Sequence, residues 1–530
     1  MPGGGLIPLI AYGAQNTFLS GNPDFTYFYK NYKKYSHFSQ ESTTIPLEGP
    51  NELSFTNPIQ LRAKIKRIGD LLSDMYFTFR IPDIYCKDVN SSNGLYTPGR
   101  ESNKQFNFAW SRYLGVHAIQ TIGFYVGGQK IQEFDSEYII AKAQCDLDQD
   151  AFYKWQTLIG DIPELNNPAN GIYAGKSPDG TTTGYPLVVS SGEPGIQTNN
   201  PSINGQDIIV PIPFWFCESI ANSLPLVALQ LHDCEVQIIM RPIRELYTIL
   251  DENMNRIAPG YKVADPTDVY TNQPTYIQAN NPTNDTMDGS INLFLVDFGY
   301  SQPIQNTWFF NPRIQCTFTW LTDDERKVFA TQSLSYLIYQ TSLYSFPGLY
   351  NRQVLDLDTH NPVNRVILVP RRSDTLQYRN DVGNYTNWLN FPEKPFVPLA
   401  TQGAKIVSSG TLQTAQQDHI LRHLRILLDG NEIQEEKTID YFTKVVPWKN
   451  ERGGSFREAR YIPVFPFCLE SPSTQPSGSV NTSRVRLFQI EVDPWALPQP
   501  TNYVYNLNIY VENINWFDVA SGMGGVKWSL

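Results

Sequence analysis

The stretch IGFYVGGQKIQEF at residues 122–134 and the stretch LRILLDGNEIQE at residues 424–435 follow one pattern. Each has an apolar run, then Gly-Gly or Asp-Gly, then Gln or Asn, a charged residue, Ile, Gln and Glu. A Gly-Gly or Asp-Gly pair between strand-like runs favours a type I′ turn, because both central residues of that turn need positive φ. The sequence therefore predicts two equivalent β-hairpins. Their turn residues are Gly127, Gly128, Asp429 and Gly430.

A second pair of landmarks follows the hairpins, FCES at residues 216–219 and FCLES at residues 467–471. The same order found twice indicates one β-domain in two diverged copies. The spacing differs between the copies, which indicates unequal loops and not a short-period repeat array. Equivalence of the copies places Ile131 over Ile433.

The composition favours an all-β protein. Of 530 residues, 13% are aromatic and 18% are charged, with 30 Tyr and 38 Pro. This composition fits strands joined by long loops.

Charge, cysteines and hydropathy limit the classes of function. The net charge of −11 argues against direct contact with nucleic acid. The six Cys show no metal-site spacing, which favours free buried thiols in a reducing compartment. No run of 18 apolar residues occurs, so we expect no membrane span.

Several segments alternate apolar and polar residues with period two, which is typical of half-buried strands. They are residues 61–66, 75–81, 314–320 and 503–512.

Two segments predict helix. Residues 136–159 open at Asp135 or Ser136 as N-cap and end before Gly160, and residues 323–329 begin with acids that favour the helix dipole. The stretches at 161–206 and 252–290 are rich in Asn, Gly, Pro, Ser and Thr and are predicted to be long exposed loops.

A series of short motifs resembles a known family along nearly the whole chain. The motifs are GGGL at 3–6, AYGAQ at 11–15, GNP at 21–23, RIGDLL at 67–72, GGQKI at 127–131, PIPFWFC at 211–217, LPLVALQ at 224–230, LTDDER at 321–326, QPSG at 475–478, NTSR at 481–484 and SGMGG at 521–525. In this order they resemble the double jelly-roll major capsid proteins of nucleocytoplasmic large DNA viruses.

The resemblance implies an all-β fold of two tandem eight-stranded jelly-roll β-sandwich domains with long loops and a few short helices. The expected parts are an N-terminal arm at 1–23, a first jelly roll at 24–320 that carries the loops at 161–206 and 252–290, and a second jelly roll at 321–530.

The resemblance also implies a homotrimer whose six jelly rolls form a pseudo-hexagonal capsomer of an icosahedral shell. Three copies of a two-barrel subunit approximate six-fold shape, so identical edges meet identical neighbours. The expected partners are other copies, minor capsid proteins beneath the shell and, indirectly, an internal membrane layer. The expected location is the virion capsid, assembled in the host cytoplasm, with no cofactor and no enzymatic activity.

The arm holds three consecutive glycines and isolated apolar residues, so it cannot build its own core. We expect it to lie on the inner side of the shell and to clip capsomers together. Its expected anchors are Leu6, Ile7, Leu9 and Ile10. The basic-aromatic run at 27–35 predicts an edge strand guarded by Lys, with contact to an anionic underlayer as the other interpretation.

His419 and His423 have the i, i+4 spacing of a helical metal pair, but the segment runs directly into the strand of the second hairpin, so an ordinary strand approach is favoured. The paired acids of the chain, such as Glu435 and Glu436, are adjacent in sequence, and no nucleophile or nucleotide motif accompanies them. The function that stays open beside the capsid is a glycan-binding β-sandwich surface protein.

Four Asn-x-Ser/Thr triplets could accept glycans. They begin at Asn90, Asn284, Asn384 and Asn481, and Asn284, in a long loop, is the best candidate.

Overall fold

The computed structural model describes most of the chain outside its long loops. The described residues are 13–84, 107–166, 175–176, 182–183, 201, 203–250, 256–259, 261–263, 274–276, 291, 294–295, 306–377, 380–387, 419–453, 461–471, 473–497 and 503–528. They belong to two compact units, Met1–Ser39 and Gln40–Leu530. No helix among them is long and apolar enough to cross a membrane.

Fifteen strands precede residue 322 in the described part of the chain. They are β1 (Phe38–Pro46), β2 (Ile59–Lys64), β3 (Leu71–Arg80), β4 (Asn107–Trp110), β5 (Ile119–Val126), β6 (Gln129–Asp135), β7 (Gly175–Lys176), β8 (Thr182–Thr183), β9 (Asp207–Pro211), β10 (Cys234–Met240), β11 (Tyr247–Leu250), β12 (Arg256–Ile257), β13 (Tyr261–Val263), β14 (Pro274–Tyr276) and β15 (Arg313–Leu321).

Ten strands follow residue 322 in the described part. They are β16 (Leu334–Leu349), β17 (Gln353–Leu357), β18 (Pro362–Arg372), β19 (Leu421–Leu428), β20 (Asn431–Thr438), β21 (Val464–Pro466), β22 (Val480–Asn481), β23 (Phe488–Pro494), β24 (Tyr505–Ala520) and β25 (Met523–Val526).

The two halves build the same pair of sheets. In the first half, one sheet has the order β1-β15-β3-β9 and the facing sheet has the order β2-β10-β5-β6. In the second half, the path β16-β24-β18-β21 and the sheet β17-β23-β19-β20 repeat that order strand for strand. Eight strands in two such four-stranded sheets make a jelly roll. The prediction of an all-β fold with two eight-stranded jelly rolls is therefore confirmed.

The strands form where the alternation predicts them. Strand β15 buries Ile314, Cys316 and Phe318 on one face, and its antiparallel partner β3 sets Ile314 opposite Phe77. Alternate side chains point to opposite faces of a strand, so one face of each sheet supplies core and the other meets solvent or a neighbouring element.

Helices are few and short in the described part. They are α1 (Thr17–Ser20), α2 (Leu114–Ala118), α3 (Ser136–Asp146), α4 (Gln149–Ile159), α5 (Pro163–Asn166), α6 (Trp215–Glu218), α7 (Asp323–Thr331), α8 (Ser373–Gln377) and α9 (Val446–Asn450). A π-helical turn, Tyr441–Val445, leads into α9.

The predicted helix at 136–159 is confirmed, with one break. Asp135 caps α3 by accepting a hydrogen bond from the backbone N–H of Tyr138. Asp148 caps α4 in the same way from Ala151, so the chain restarts the helix where an Asp side chain satisfies a free N–H group. Gly160 ends α4 in the left-handed conformation, with φ of 77°.

The prediction of an edge strand at 27–35 is wrong. Beyond one isolated pairing of Thr26 with Tyr29, the run joins no sheet among the described residues, and the next strand begins at Phe38. Tyr27 and Phe28 are 91% and 99% exposed. Consecutive aromatic residues leave the run without the single apolar face that a half-buried strand needs.

Of two hydrophobic core clusters among the described residues, one extends through both jelly rolls and the other lies within the second. Ile367 and Phe517 of the second half belong to the same buried cluster as Phe124 and Trp215 of the first half. The rings of Trp215 and Phe517 lie 5.2 Å apart between centroids. Burying a side chain of this size contributes about 1.5–3 kcal/mol, so the two jelly rolls stabilise each other within one compact unit.

Both hairpin turns have positive φ at their two central residues. The angles are 57° at Gly127, 82° at Gly128, 48° at Asp429 and 78° at Gly430. In the second turn the Asp429 carboxylate accepts backbone hydrogen bonds from Arg486 and Leu487 at 2.8 and 3.0 Å. This contact gives the Asp a role that glycine could not fill.

Gly127, the first central residue of one turn, and Gly430, the second central residue of the other, have different surroundings. A Cβ atom at Gly127 would lie 2.7 Å from the His232 ring, whereas one at Gly430 would meet nothing within 4 Å. We therefore expect Gly430→Ala to lower the free energy of unfolding by about 1 kcal/mol, the cost of the left-handed backbone. Gly127→Ala should cost about 2–4 kcal/mol, because overpacking adds to that strain. Equal costs in urea unfolding would contradict the packing around Gly127.

Candidate assembly surface and the junction between the jelly rolls

The first hairpin lies against the second jelly roll. Ile131, in β6, is only 1% exposed, and its carbonyl oxygen accepts a hydrogen bond of 2.7 Å from the Gln340 amide of β16. In return the Gln132 amide donates to the carbonyl oxygen of Tyr339, also at 2.7 Å. The outer edge of the first jelly roll is thus closed by the first strand of the second.

The second hairpin occupies the same sheet position but is open. Ile433, three residues beyond the turn glycine like Ile131, is 51% exposed. Every residue of β20 is at least partly exposed. The two halves therefore have equivalent strands with different surroundings, because β16 covers β6, whereas no strand of the described residues covers β20.

A buried guanidinium ties the two halves together. Arg365, on β18, is 1% exposed and pairs with Asp146 at 2.6 Å, Glu451 at 2.8 Å and Glu512 at 2.6 Å. Asp146 ends α3 of the first half, whereas Glu451 and Glu512 belong to the second. Tyr138 of α3 also donates to the Glu512 carboxylate at 2.7 Å, so each half contributes polar groups to one network.

Two carboxyl groups of this network, those of Asp146 and Glu451, have pKa values shifted in opposite directions. Burial opposes ionisation of Asp146, but Arg365 and Lys142 outweigh it and lower the pKa of that carboxyl to about 2. Burial raises the pKa of Glu451 to about 7, against the pull of Arg365. The Glu451 side chain also accepts a hydrogen bond of 2.6 Å from the Ser471 hydroxyl. Glu451 is thus the member of the network that titrates near neutral pH.

Two protein-family models match successive parts of the chain. "Major capsid protein N-terminus" matches residues 26–279 and "Large eukaryotic DNA virus major capsid protein" matches residues 325–525. The chain belongs to the family of major capsid proteins of large eukaryotic DNA viruses.

Similar capsid proteins span the same length. The chain is 23% identical over 574 residues to probable capsid protein 4 of Acanthamoeba polyphaga mimivirus, and the match covers 99% of each chain. It is 22% identical over 604 residues to the major capsid protein of Chrysochromulina ericina virus, with 99% and 100% of the two chains covered.

Solved capsid structures share the fold. A quasi-atomic model of the PBCV-1 virus capsid matches with a TM-score of 0.61 and 18% identity, over 95% of this chain and 100% of the other. The Faustovirus major capsid protein matches with a TM-score of 0.60 and 13% identity, over 96% and 94%. Of the two functions that the sequence left open, the capsid is the one that these findings support, and the virion capsid is its location.

The capsid protein's two spaced histidines do not form a metal pair. His423 lies in β19, and its Nδ1 is 3.2 Å from the Asp493 carboxylate, whereas His419 precedes the strand in a bridge with Thr386. Among the residues that the structure describes, no group of His, Cys, Asp and Glu could hold a metal ion. The strand interpretation of this segment is confirmed.

The Asn residues of the four Asn-x-Ser/Thr triplets differ in their solvent exposure where the structure describes them. Asn384 is 2% exposed and donates to the Asp381 carboxylate at 2.8 Å, so a glycan has no room there. Asn481 is exposed. Asn90 and Asn284 lie outside the described residues, as do most of the two long loops and all four predicted arm anchors, Leu6, Ile7, Leu9 and Ile10.

Sequence reasoning missed the Arg365 network. Its members lie far apart in the chain, at positions 146, 365, 451 and 512, and no local spacing connects them. The one available signal was a lone Arg in the apolar run of β18, PVNRVILVP, where a buried charge needs partners.

Glu451 gives the junction a measurable pH dependence. Its pKa is about 7 in the fold against an ordinary value of 4.5, so between these pH values the folded protein retains a proton that the unfolded chain has lost. This contribution to stability is fully present below about pH 4.5 and is lost as pH rises to about 7. Between pH 5 and 8 we expect wild type to lose about 2 kcal/mol more than Glu451→Gln in urea unfolding.

The control is Glu470→Gln, whose carboxylate makes an exposed pair with Arg452 at 2.8 Å. That variant should keep the wild-type slope of stability against pH. A Glu451→Gln protein with the same slope as wild type would show that Glu451 is not protonated in the fold.

Proposed function

We propose that the capsid protein works as a homotrimeric tile whose copies join by repeating the contact between its own jelly rolls. Within the chain, β6 of the first jelly roll lies against β16 of the second. Strand β20 holds the β6 position in the second jelly roll, and β1 holds the β16 position in the first. Between copies, β20 of one chain would therefore lie against β1 of the next.

Both of the required surfaces are open. Ile433 on β20 is 51% exposed, and the first five residues of β1 are exposed. A head-to-tail contact of this kind produces a ring when its rotation closes. If the contacts within and between chains are alike, six jelly rolls from three copies close a pseudo-hexagonal ring.

The parts of the tile follow the proposed division of the chain. Residues 24–320 and 321–530 would be the two jelly rolls, and residues 1–23 an arm that clips tiles to each other. Minor capsid proteins beneath the shell would bind the inner end of the tile. Support for the arm is the sequence alone, namely apolar anchors in a glycine-rich segment with no core of its own.

The homotrimer is tested at its open edge. Wild type should give a light-scattering mass of roughly three times 60.3 kDa. Ile433→Asp places a charge in the contact without disturbing the buried core of the monomer, so we expect a mass near one chain at micromolar concentration. Loss of the apolar contact alone is worth about 0.8–1.5 kcal/mol per interface, because Ile433 is already half buried in the monomer.

Val354→Asp is the matched control. Val354 is 50% exposed on β17, at the opposite edge of the same sheet from β20, so this variant should remain trimeric. A wild-type monomer would refute the trimer. A trimeric Ile433→Asp protein, or a monomeric Val354→Asp protein, would place the interface elsewhere.

A further inference from the structure

An arginine-lined cavity of about 340 Å³ lies between the two jelly rolls. Arg241 and Arg244 follow β10 of the first half, and Arg371 lies near the end of β18 of the second. Three guanidinium groups around one cavity are notable in a chain with a net charge of −11.

Carboxylates balance two of these three charges. Arg241 Nη1 lies 3.3 Å from Glu245, and Arg371 Nη1 lies 2.8 Å from Glu137. The Arg244 guanidinium has no ion pair with any residue that the structure describes. The arginines and their direct partners thus leave one positive charge in excess.

Arg241 contributes charge to the cavity but not its Nε. Arg241 Nη2 donates to the Ser136 hydroxyl at 3.2 Å, and the Nε of the same side chain is buried. No space the size of a water molecule adjoins that nitrogen, so an anion in the cavity does not reach it.

Neutral groups complete the lining. Burial, together with Arg241, lowers the pKa of His117 well below its ordinary value, so this ring adds no charge. The Ser373 hydroxyl accepts from the backbone N–H of Val504 at 3.1 Å and keeps its own proton to donate. Asn380 donates to the Arg244 carbonyl oxygen at 2.8 Å and holds the turn that carries Arg244.

Acidic groups limit what could bind. The adjoining cavity shares His117, Arg241 and Arg371, but it is also lined by Asp135 and Asp381. The Arg244 cavity is itself lined by Glu245, whose carboxylate pairs with Arg241. An anion is therefore favoured at the Arg244 side of this cavity, away from Asp135 and Asp381.

We propose that this cavity binds a phosphate-type oxyanion, either free or as a small monoester, through the Arg244 guanidinium, with the charges of Arg241 and Arg371 nearby. A guanidinium offers two parallel N–H groups to such an oxyanion. Because Arg241 and Arg244 belong to the first jelly roll and Arg371 and Ser373 to the second, the bound anion would connect the two halves.

The test is isothermal titration of the full chain with inorganic phosphate and, separately, with glycerol 3-phosphate, at constant ionic strength in chloride. We expect wild type to bind at least one of them, with the tighter ligand assigning the free or the esterified form. Arg244→Gln should weaken binding at least tenfold. Arg244→Lys should lie between, since it keeps the charge but loses the two-pronged contact.

Arg484→Gln is the control, because Arg484 is exposed and ends a short 3-10 helix beside the start of β18, at the opposite end of that strand from Arg371. It should bind like wild type. Absence of binding by wild type, an equal loss in Arg484→Gln, or unchanged affinity in a folded Arg244→Lys protein would each overturn the proposal. Circular dichroism shows whether each variant is folded, and an unfolded Arg244→Gln protein leaves the decision to Arg244→Lys.

Discussion

The buried guanidinium of Arg365 is the constraint on which the rest of the structure depends. It is charged, 1% exposed and held by carboxylates from both halves of the chain. Removing one partner of a buried ion pair costs about 3–5 kcal/mol, because the remaining charge stays buried without compensation. This cost holds the two jelly rolls in one relative orientation. In the proposed assembly that orientation sets the angle between the edges that they present to other copies.

Duplication explains why such an arrangement suits a shell protein. The two halves share strand order and hairpin geometry, yet Ile131 is buried and Ile433 is half exposed. A duplicated domain has two equivalent edges, of which the first is covered within the chain and the second is exposed. In the proposed assembly the exposed edge receives a neighbouring copy, so the stability of the monomer and the contacts between copies would have the same origin.

Local patterns in the sequence were sufficient for much of the fold. Period-two alternation located β3, β15 and β24, and turn chemistry located both hairpins, because these features depend on residues close in the chain. The prediction for the run at 27–35 was wrong, because a mixture of basic and aromatic residues resembles an edge strand, but its consecutive aromatic residues provide no single apolar face.

Long-range features could not be found in this way. Arg365 and its partners form a site only after the fold has brought distant residues together, and the burial of Ile131 depends on Gln340 of the other half. The equivalence of the hairpins was visible in the sequence, whereas the difference in their surroundings required the packing of one jelly roll on the other.

The central claim is that the contact within one chain is repeated between chains, and a cryo-electron microscopy map of the purified oligomer tests it most directly. The account predicts three copies in a closed ring, with β20 of each copy against β1 of the next and Ile433 buried at that contact. A map in which β20 faces solvent, or in which the copies meet through other strands, would contradict it.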